Sequence, residues 1–228
     1  MPHDPDHRPS APCRLLITAG PTHEPIDAVR YLANRSSGRM GLALSEAACN
    51  CGLPTTLLLG PTGLKPPKSS HLRTFRFLTT ADLQALLTAH WPEHDVLIMA
   101  AAVADYRPRR SETGGKIRRR DRNLALELEP TPDLLAALSP HTRPGQTVIG
   151  FALEPEAELQ REAERKLRKK NLHAIVANPL QTMDSDRVTA VVLLRSGETL
   201  QPPRDLEKPA FAEWLLDQLP LIRSQSGD

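Results

Sequence analysis

Short apolar segments alternate with helical patterns along most of this 228-residue chain. The segments with strand character lie at 13–18, 55–60, 73–78, 95–104, 124–129, 147–153, 173–178 and 188–196. The segments with helical character lie at 37–52, 80–91, 131–138, 154–171 and 205–221. Strands that alternate with helices in this way favour parallel strand pairs joined by helical crossovers. The pattern therefore predicts an α/β fold, with a doubly wound, largely parallel sheet, helices on both faces and a single domain.

Charge balance and apolar run lengths limit the partners of the chain. Lys and Arg total 29 against 27 for Asp and Glu, and a net charge of +2 gives no general attraction to nucleic acid or to a membrane. The apolar runs are far shorter than the ~20 residues that cross a bilayer, and the N-terminus has no apolar signal core. Three cysteines without a CxxC pair suit a reducing compartment. We expect a cytoplasmic protein with a disordered leader at 1–12, a domain at 13–222 and a tail at 223–228.

The loop after the first strand is long and polar. In a Rossmann-like sheet, ligands bind outside the carboxyl ends of the strands, where this loop begins. It reaches the next helix through NRSSGRMG, in which Ser36, Ser37, Gly38 and the helix N-terminus offer hydroxyl and amide donors to an anion. The alternative is an ordinary helix start with Ser36 or Ser37 as N-cap. The loop matches neither GxxxxGK[ST] nor GxGxxG, which argues against a P-loop and against the usual nicotinamide-dinucleotide site.

Three polar residues near predicted strand ends are candidates for binding or catalysis. Arg30 has a guanidinium that can clamp a phosphate or a carboxylate, and Asn34 has an amide that can donate to a developing oxyanion. Their alternatives are an arginine paired with Glu24 or Asp27 and an asparagine that satisfies a turn. Asp105 follows the most apolar strand, where it can accept from sugar hydroxyls, hold Mg²⁺ or merely cap a turn.

Basic residues occur in one loop and on one helix. Lys116 follows two glycines in GGKIRRR, which is typical of a loop that closes over phosphates. The arginines beside it are interpreted as a solvated rim, and they are Arg118, Arg119, Arg120 and Arg122. Lys166 and Lys170 lie one turn apart on a predicted helix and can reach a polyphosphate together. The alternative is an ordinary Glu162–Lys166 pair at i,i+4 spacing.

Two other chemistries are not supported. His90 and His94 have the spacing of a zinc helix, but Pro92 breaks the helix between them and no third ligand follows. No Ser or Cys stands beside a base in a recognisable motif. We therefore expect chemistry by positioning and electrostatics on activated substrates.

Several motifs occur together and in a fixed order along residues 13–219. They are TAGPTHEPIDAVRYLANRSSGRMG, AAAVADYRP, GGKI, PTPDLL, VIGFALE, KLRKKN and IVANP. With them the chain resembles the phosphopantothenate-cysteine ligase family, also called phosphopantothenoylcysteine synthetases. The resemblance implies a homodimeric enzyme that joins 4'-phosphopantothenate and L-cysteine on the path to coenzyme A, using CTP and Mg²⁺. It also implies an acyl-cytidylate intermediate, formed with loss of pyrophosphate and consumed when the amine of cysteine displaces CMP.

The resemblance assigns roles residue by residue. Asn34 corresponds to a catalytic asparagine that binds the acyl-cytidylate carbonyl, and Lys116 to a catalytic lysine that contacts the nucleotide phosphates in the first half-reaction. The implied nucleotide-binding residues are Met99, Ala100, Ala101, Asp105, Lys116, Pro132, Asp133, Leu134, Leu135, Phe151, Lys166 and Lys170. The implied substrate-binding residues are Arg30, Asn34, Ser36, Ser37 and Gly38. The Mg²⁺ ligands stay unassigned.

The chain also departs from the family pattern. Many bacterial relatives carry a flavin-binding decarboxylase domain before this one, whereas only a dozen residues precede the first strand here. We therefore expect ligation without decarboxylation, with a separate flavin-dependent decarboxylase as a partner. The family's SGKMG is SGRMG here, with Arg39 in place of lysine.

Two other functions stay open, and so does the nucleotide. The first is a Rossmann-like NAD(P)-binding oxidoreductase, which the fold alone permits. The second is a catalytically silent nucleotide-binding partner of a decarboxylase, against which the set of Asn34, Asp105 and Lys116 argues. Residue types do not distinguish CTP from ATP, because base choice depends on backbone contacts.

Overall fold

The computed structural model describes residues 12–109, 115–119, 121, 123–182 and 185–224. Within them the strands are β1 (Leu15–Ala19), β2 (His23–Pro25), β3 (Tyr31–Ala33), β4 (Thr55–Leu59), β5 (Leu72–Arg76), β6 (Val96–Met99), β7 (Tyr106–Pro108), β8 (Leu128–Pro130), β9 (Thr147–Glu154), β10 (Ala174–Pro179), β11 (Arg187–Val188), β12 (Val191–Leu194), β13 (Thr199–Leu200) and β14 (Leu206–Glu207). The α-helices are α1 (Arg39–Asn50), α2 (Thr80–His90), α3 (Leu134–Leu138), α4 (Leu159–Lys169), α5 (Lys208–Asp217) and α6 (Leu219–Ser224).

The main sheet has eight strands in the order β13-β12-β10-β9-β6-β1-β4-β5. The strands from β10 to β5 are mutually parallel, and β12 and β13 add an antiparallel edge. The chain passes from β1 outward to β4 and β5 and then returns to β6 on the other side of β1. Loops that leave β1 and β6 therefore diverge, and this switch point is where such sheets bind ligands. The predicted doubly wound, largely parallel sheet is confirmed.

Both faces of the sheet are covered. Alternate residues of a strand point to opposite faces, so Leu15 and Ile17 pack with α1, α5 and α6, whereas Leu16 packs with α2, α3 and α4. These three side chains are fully buried. Burial of each leucine or isoleucine stabilises the fold by about 1.5–3 kcal/mol relative to exposure. No helix in the described part of the chain combines the length and apolar character needed to span a bilayer.

The N-cap of α2 and the start of α4 differ from the pattern by one and five residues. Thr79, not Thr80, is the N-cap of α2, because its hydroxyl accepts from the Asp82 amide at 3.2 Å while the Asp82 carboxylate accepts from the Thr79 amide at 2.8 Å. This reciprocal pair is a capping box. Helix α4 begins at Leu159 rather than at 154, because Pro155 has an extended ψ of 139° that a helix cannot continue.

The strand expected at 95–104 ends earlier than predicted, because only Val96–Met99 forms β6. Beyond it, the Ala102 amide donates to the Gly20 carbonyl at 3.0 Å, and the Thr22 amide donates to the Ala102 carbonyl at 3.2 Å. The chain therefore leaves the sheet and pairs with the loop that follows β1. That contact joins the two loops at the switch point.

The strand expected at 124–129 was wrong, since only β8 forms in that region. An alternating pattern predicts one buried face, yet Leu124, Leu126 and Leu128 are all exposed. Two hairpins were not anticipated: β2 pairs with β3 inside the long first loop, and β7 pairs with β8. The pattern at 205–221 divides into β14, α5 and α6 instead of one helix.

Candidate active site

A cleft of about 730 Å³ opens at the carboxyl edge of the sheet. Four segments contribute most of its lining: 33–40 before and within α1, 99–105 after β6, 131–135 at the start of α3, and 151–153 in β9. Side chains from α4 and from the region between β10 and α5 complete it. The cleft therefore occupies the switch point that the topology marks as a ligand site.

Most of the residues assigned from the motifs line this cleft. They are Asn34, Ser36, Ser37, Gly38, Met99, Ala100, Ala101, Asp105, Pro132, Asp133, Leu134, Leu135, Phe151, Lys166 and Lys170. Arg30 and Lys116, although the structure describes both, are not among the lining residues. The individual roles of these residues stay predictions.

Three threonines fix the loops around the cleft. The buried Thr18 hydroxyl accepts from the Ala101 amide at 3.0 Å, and the buried Thr22 hydroxyl accepts from the Ala104 amide at 3.0 Å. The Thr131 hydroxyl donates to the Ala104 carbonyl. The loops after β1, after β6 and before α3 are thus joined by neutral hydrogen bonds, which typically contribute about 0.5–1.5 kcal/mol each.

Two glycines shape the start of α1, and the first of them lines the cleft. The N-cap is Gly38, at a left-handed φ of 77°, and neither Ser36 nor Ser37 takes that place, which corrects the capping alternative. A Cβ on Gly41 would lie 2.4 Å from the Cβ of Ala19, so only glycine lets α1 pack this closely on β1. Amides of the first helical turn have no partner within the helix, and here they border the cleft.

Asn34 is held by its amide group. Its Nδ2 donates to the Val103 carbonyl at 2.8 Å, which orients the side chain on the cleft wall. A primary amide carries two N–H donors, so this contact leaves the second for a ligand oxygen. The arrangement suits a neutral donor that works without titrating.

The two lysines of α4 are paired with carboxylates at the cleft. Lys166 Nζ lies 2.5 Å from Glu154 Oε1, and Lys170 Nζ lies 3.1 Å from Asp133 Oδ1. The alternative of a Glu162–Lys166 pair is wrong, because Lys166 pairs with Glu154 and Glu162 pairs with arginines on its own helix. Any phosphate bound here would compete with Glu154 and Asp133 for the two ammonium groups.

The lining of the cleft is rich in basic residues. Its basic lining residues are Arg35, Arg39, Lys166, Lys170, Arg187 and Lys208, and its acidic lining residues are Asp105 and Asp133. Glu154, Asp186 and Asp205, which do not line the cleft, pair with Lys166, Arg39 and Arg187 and offset part of this charge. Guanidinium and ammonium groups bind phosphate when it replaces such carboxylates. The cleft therefore suits a polyphosphate better than a neutral ligand.

The acidic residues fit a metal ion that arrives with phosphate. The described residues contain no group of three or more His, Cys, Asp or Glu side chains placed for a metal. Mg²⁺ is usually bound by one or two carboxylates together with substrate phosphates, and Asp105 can provide one such carboxylate. Asp133 is paired with Lys170 and accepts from the Ala136 amide at the start of α3. His94 has a different role, because its ring nitrogens lie 2.6 Å from the His90 carbonyl and 2.9 Å from the Thr56 hydroxyl. Burial lowers the pKa of His94.

Arg30 and the Lys116 segment meet beside the cleft. Arg30 forms an ion pair with Asp27, which was one of its two predicted alternatives. Ile117 hydrogen-bonds to both of these residues, and its neighbour Lys116 is exposed. Arg118 and Arg119 are exposed as expected, whereas Arg120 and Arg122 lie outside the described residues.

Sequence reasoning missed lining residues from the C-terminal third of the chain. Asn178 had a usable signal, because it ends a predicted strand at the carboxyl edge. Arg187 and Lys208 had none, since they reach the cleft through antiparallel pairing of β11 with β14. Arg39 forms an ion pair with Asp186, which links the start of α1 to that same region.

The fold and the cleft define the class: a doubly wound α/β protein with a cleft rich in basic residues at the switch point of its sheet. Within this class the chain belongs to the family described as the DNA/pantothenate metabolism flavoprotein C-terminal domain, which matches residues 11–221. The resemblance stated from the motifs is confirmed at the level of the family.

Similar proteins include two curated relatives and a solved structure. The bifunctional coenzyme A biosynthesis protein CoaBC of Bacillus subtilis (strain 168) is 32% identical over 219 residues, covering 94% of this chain and 52% of its own. A protein named cysteine/cysteine sulfinic acid decarboxylase, from an unknown prokaryotic organism, is 41% identical over 168 residues, covering 74% and 46%. The crystal structure of the C-terminal domain of a CoaBC protein has 36% identity and a TM-score of 0.78, covering 93% of this chain and 96% of that one. The chain spans about half the length of the curated relatives it matches.

Proposed function

We propose that this protein is a phosphopantothenate-cysteine ligase, which joins 4'-phosphopantothenate to L-cysteine with CTP in coenzyme A biosynthesis. The observation that carries the proposal is the family match over residues 11–221, in a chain whose basic cleft is lined by 15 of the 17 residues assigned from the motifs. The reaction class, the substrates, the nucleotide and a cytoplasmic location are parts of this proposal.

In the first half-reaction, the carboxylate of 4'-phosphopantothenate attacks the α-phosphate of CTP and pyrophosphate leaves. Both reactants are anions, so the protein must neutralise charge and align them. Lys166 and Lys170 exchange their carboxylate partners for phosphate oxygens, and Lys116 adds a third positive charge. Asp105 would hold Mg²⁺, whose chemistry when bound is to offset phosphate charge.

In the second half-reaction, the amine of cysteine attacks the acyl-cytidylate carbonyl and CMP leaves. Negative charge develops on the carbonyl oxygen during this step. The N–H of Asn34 that is not used by Val103 donates to that oxygen, in the manner of an oxyanion hole. Because the amide is held on one side and does not titrate, it is oriented before the reaction begins.

Turnover tests the proposal directly. The purified protein is incubated with 4'-phosphopantothenate, cysteine and Mg²⁺, and with CTP, ATP, GTP or UTP in turn, while pyrophosphate and product mass are measured. We expect pyrophosphate release with CTP and a product that contains cysteine. Folded protein that binds CTP but releases no pyrophosphate would favour a catalytically silent nucleotide-binding partner of a decarboxylase. Tight binding of a reduced nicotinamide would favour an NAD(P)-binding oxidoreductase.

Asn34→Ala separates the two half-reactions. We expect this variant to bind CTP and release pyrophosphate, while amide formation falls by roughly 10²- to 10³-fold, the usual effect of removing one oxyanion donor. The matched variant Lys166→Ala should instead weaken nucleotide binding and reduce both products in parallel. Normal amide formation in Asn34→Ala would remove that residue from the mechanism.

A homodimer is the second part of the proposal. Val29 is 62% exposed, Tyr31 54% and Tyr106 55%, and all three lie on the two hairpins that pack together through β2 and β7. Exposed apolar side chains grouped in this way suit a protein interface, and a second copy of the chain is the partner that the family resemblance implies. Sedimentation equilibrium should give a dimer for the native chain and a monomer for Tyr31→Glu. A monomeric native chain would contradict this part.

A further inference from the structure

The tip of the β2–β3 hairpin holds a carboxylate whose two oxygens have different partners. The side chain of Asp27 is fully enclosed. Its Oδ1 accepts from the Val29 amide at 2.9 Å and from the Arg30 amide at 2.8 Å, which closes the local turn. Its Oδ2 accepts from Arg30 Nε at 3.0 Å, from Arg30 Nη2, and from the Ile117 amide at 3.0 Å. Oδ1 therefore stabilises the turn, whereas Oδ2 binds the Arg30 side chain and the amide of the distant Ile117.

The Arg30 side chain completes the contact with that segment. Its Nη2 also donates to the Ile117 carbonyl at 2.9 Å. Asp27 and Arg30 together thus hold both backbone polar groups of Ile117, which lies 87 residues beyond Arg30. Lys116 is the residue before Ile117, and consecutive Cα atoms are only about 3.8 Å apart. The point from which the Lys116 side chain departs is therefore set by the hairpin.

The charges that form this contact are stable. The hydrogen bond from Arg30, followed by the backbone amides of Val29, Arg30 and Ile117, holds the pKa of Asp27 well below its usual range. The same carboxylate raises the pKa of Arg30. Both groups are therefore charged at neutral pH, where the contact with Ile117 does not depend on their titration. It also commits Arg30 to the protein, which argues against a main role in binding the substrate phosphate.

We infer that Asp27 is a positioning residue, which acts with Arg30 to hold the backbone of Ile117 and so to place Lys116 for the first half-reaction. The inference rests on the proposed function, because Lys116 takes its role from it. Asp27 acts only through Lys116 and does not touch the substrates. Loss of the contacts of Asp27 Oδ2 should therefore slow the first half-reaction, as loss of the Lys116 side chain does.

Asp27→Asn separates the two functions of the carboxylate. The amide oxygen can replace Oδ1 as acceptor for Val29 and Arg30, so the hairpin turn is kept. The NH₂ group replaces Oδ2 and faces the Arg30 guanidinium and the Ile117 amide. It cannot accept a hydrogen bond from either donor, so the Oδ2 contacts are lost. Asp27→Ala, the matched control, loses the turn contacts as well. Thermal melting and sedimentation of both variants measure any damage to the fold or to the oligomer.

Amide hydrogen exchange at Ile117 tests the contact without any reference to catalysis. We expect exchange in Asp27→Asn to rise by roughly 10- to 100-fold, as for the loss of one hydrogen bond to a charged group. Exchange at Val29 and Arg30 should change in Asp27→Ala but little in Asp27→Asn. Unchanged exchange at Ile117 would overturn the inference even if the protein proves to be a ligase.

A double-mutant cycle tests the link to Lys116. We expect Asp27→Asn to slow pyrophosphate release by roughly 10- to 100-fold, while amide formation from supplied acyl-cytidylate stays within about twofold. Combining Asp27→Asn with Lys116→Ala should slow pyrophosphate release no further than Lys116→Ala alone, because both variants lose the same contribution of Lys116. Additive losses would show that Asp27 acts independently of Lys116 and would overturn the inference. If the native protein releases no pyrophosphate at all, the proposed function fails. Amide exchange at Ile117 still shows whether Asp27 holds that segment.

Discussion

His173 makes the stability of this fold depend on pH. The residue precedes β10, is 4% exposed, and accepts a hydrogen bond on Nδ1 from the Val148 amide at 3.0 Å. A protonated ring would lose that acceptor. Burial, and after it the nearby Arg195 guanidinium, lowers the pKa of His173 to about 4. The folded protein thus keeps this ring neutral under conditions in which an unfolded chain would protonate it.

The sign and the size of the effect follow from these two states. An unfolded histidine has a pKa of about 6.5, so below that pH the unfolded state gains a proton that the folded state refuses. Stability is therefore complete above about pH 6.5 and is lost as the pH falls toward about 4. With a folded pKa of about 4, the loss between about pH 8 and about pH 5 amounts to about 2 kcal/mol.

Comparison with His173→Asn isolates this contribution. The amide oxygen of the new side chain can accept from Val148 but does not titrate in this range, and every other histidine is common to both proteins. Chemical denaturation near pH 8 and near pH 5 gives four free energies of unfolding. We expect the native chain to lose about 2 kcal/mol more than the variant over this interval. Equal losses would refute the assignment of a low pKa to His173.

The remaining predictions concern close packing, capping and one surface ion pair. Gly41→Ala should lower the free energy of unfolding by about 1–3 kcal/mol, because its Cβ would collide with Ala19, and thermal melting measures this. Thr79→Ala should cost about 1 kcal/mol in urea denaturation through loss of the capping box, and no change would contradict that role. Asp186→Asn should change stability by less than about 1 kcal/mol, because Asp186 is 76% exposed and its partner Arg39 is 45% exposed. A larger loss would mean that this pair supports the fold.

Sequence reasoning was strongest where one physical cause dominates. Apolar runs such as 13–18 and 95–104 predicted buried parallel strands, and the alternation of strands with helices then fixed the edge at which the cleft opens. The prediction weakened where the partner of a residue is distant along the chain. Arg30 offered a choice between Glu24 and Asp27, but its bond to the Ile117 carbonyl 87 residues away carries no local signal. Arg187 likewise reaches the cleft through the pairing of two-residue strands β11 and β14, which are too short to show a period.

Neutral groups join the loops around the cleft, and charged groups are available to bind a phosphate. Hydroxyls of Thr18, Thr22 and Thr131 join the surrounding loops, and since they do not titrate, the shape they fix is the same at any assay pH. Lys166 and Lys170, in contrast, are held by carboxylates that a phosphate can replace. The side chains of both pairs are only 13% to 35% exposed, so a bound phosphate must compensate for the loss of each carboxylate partner. Loop structure and ligand binding therefore overlap at two residues: Thr131 lines the cleft and joins its loops, and Asp133 pairs with Lys170 and also caps α3.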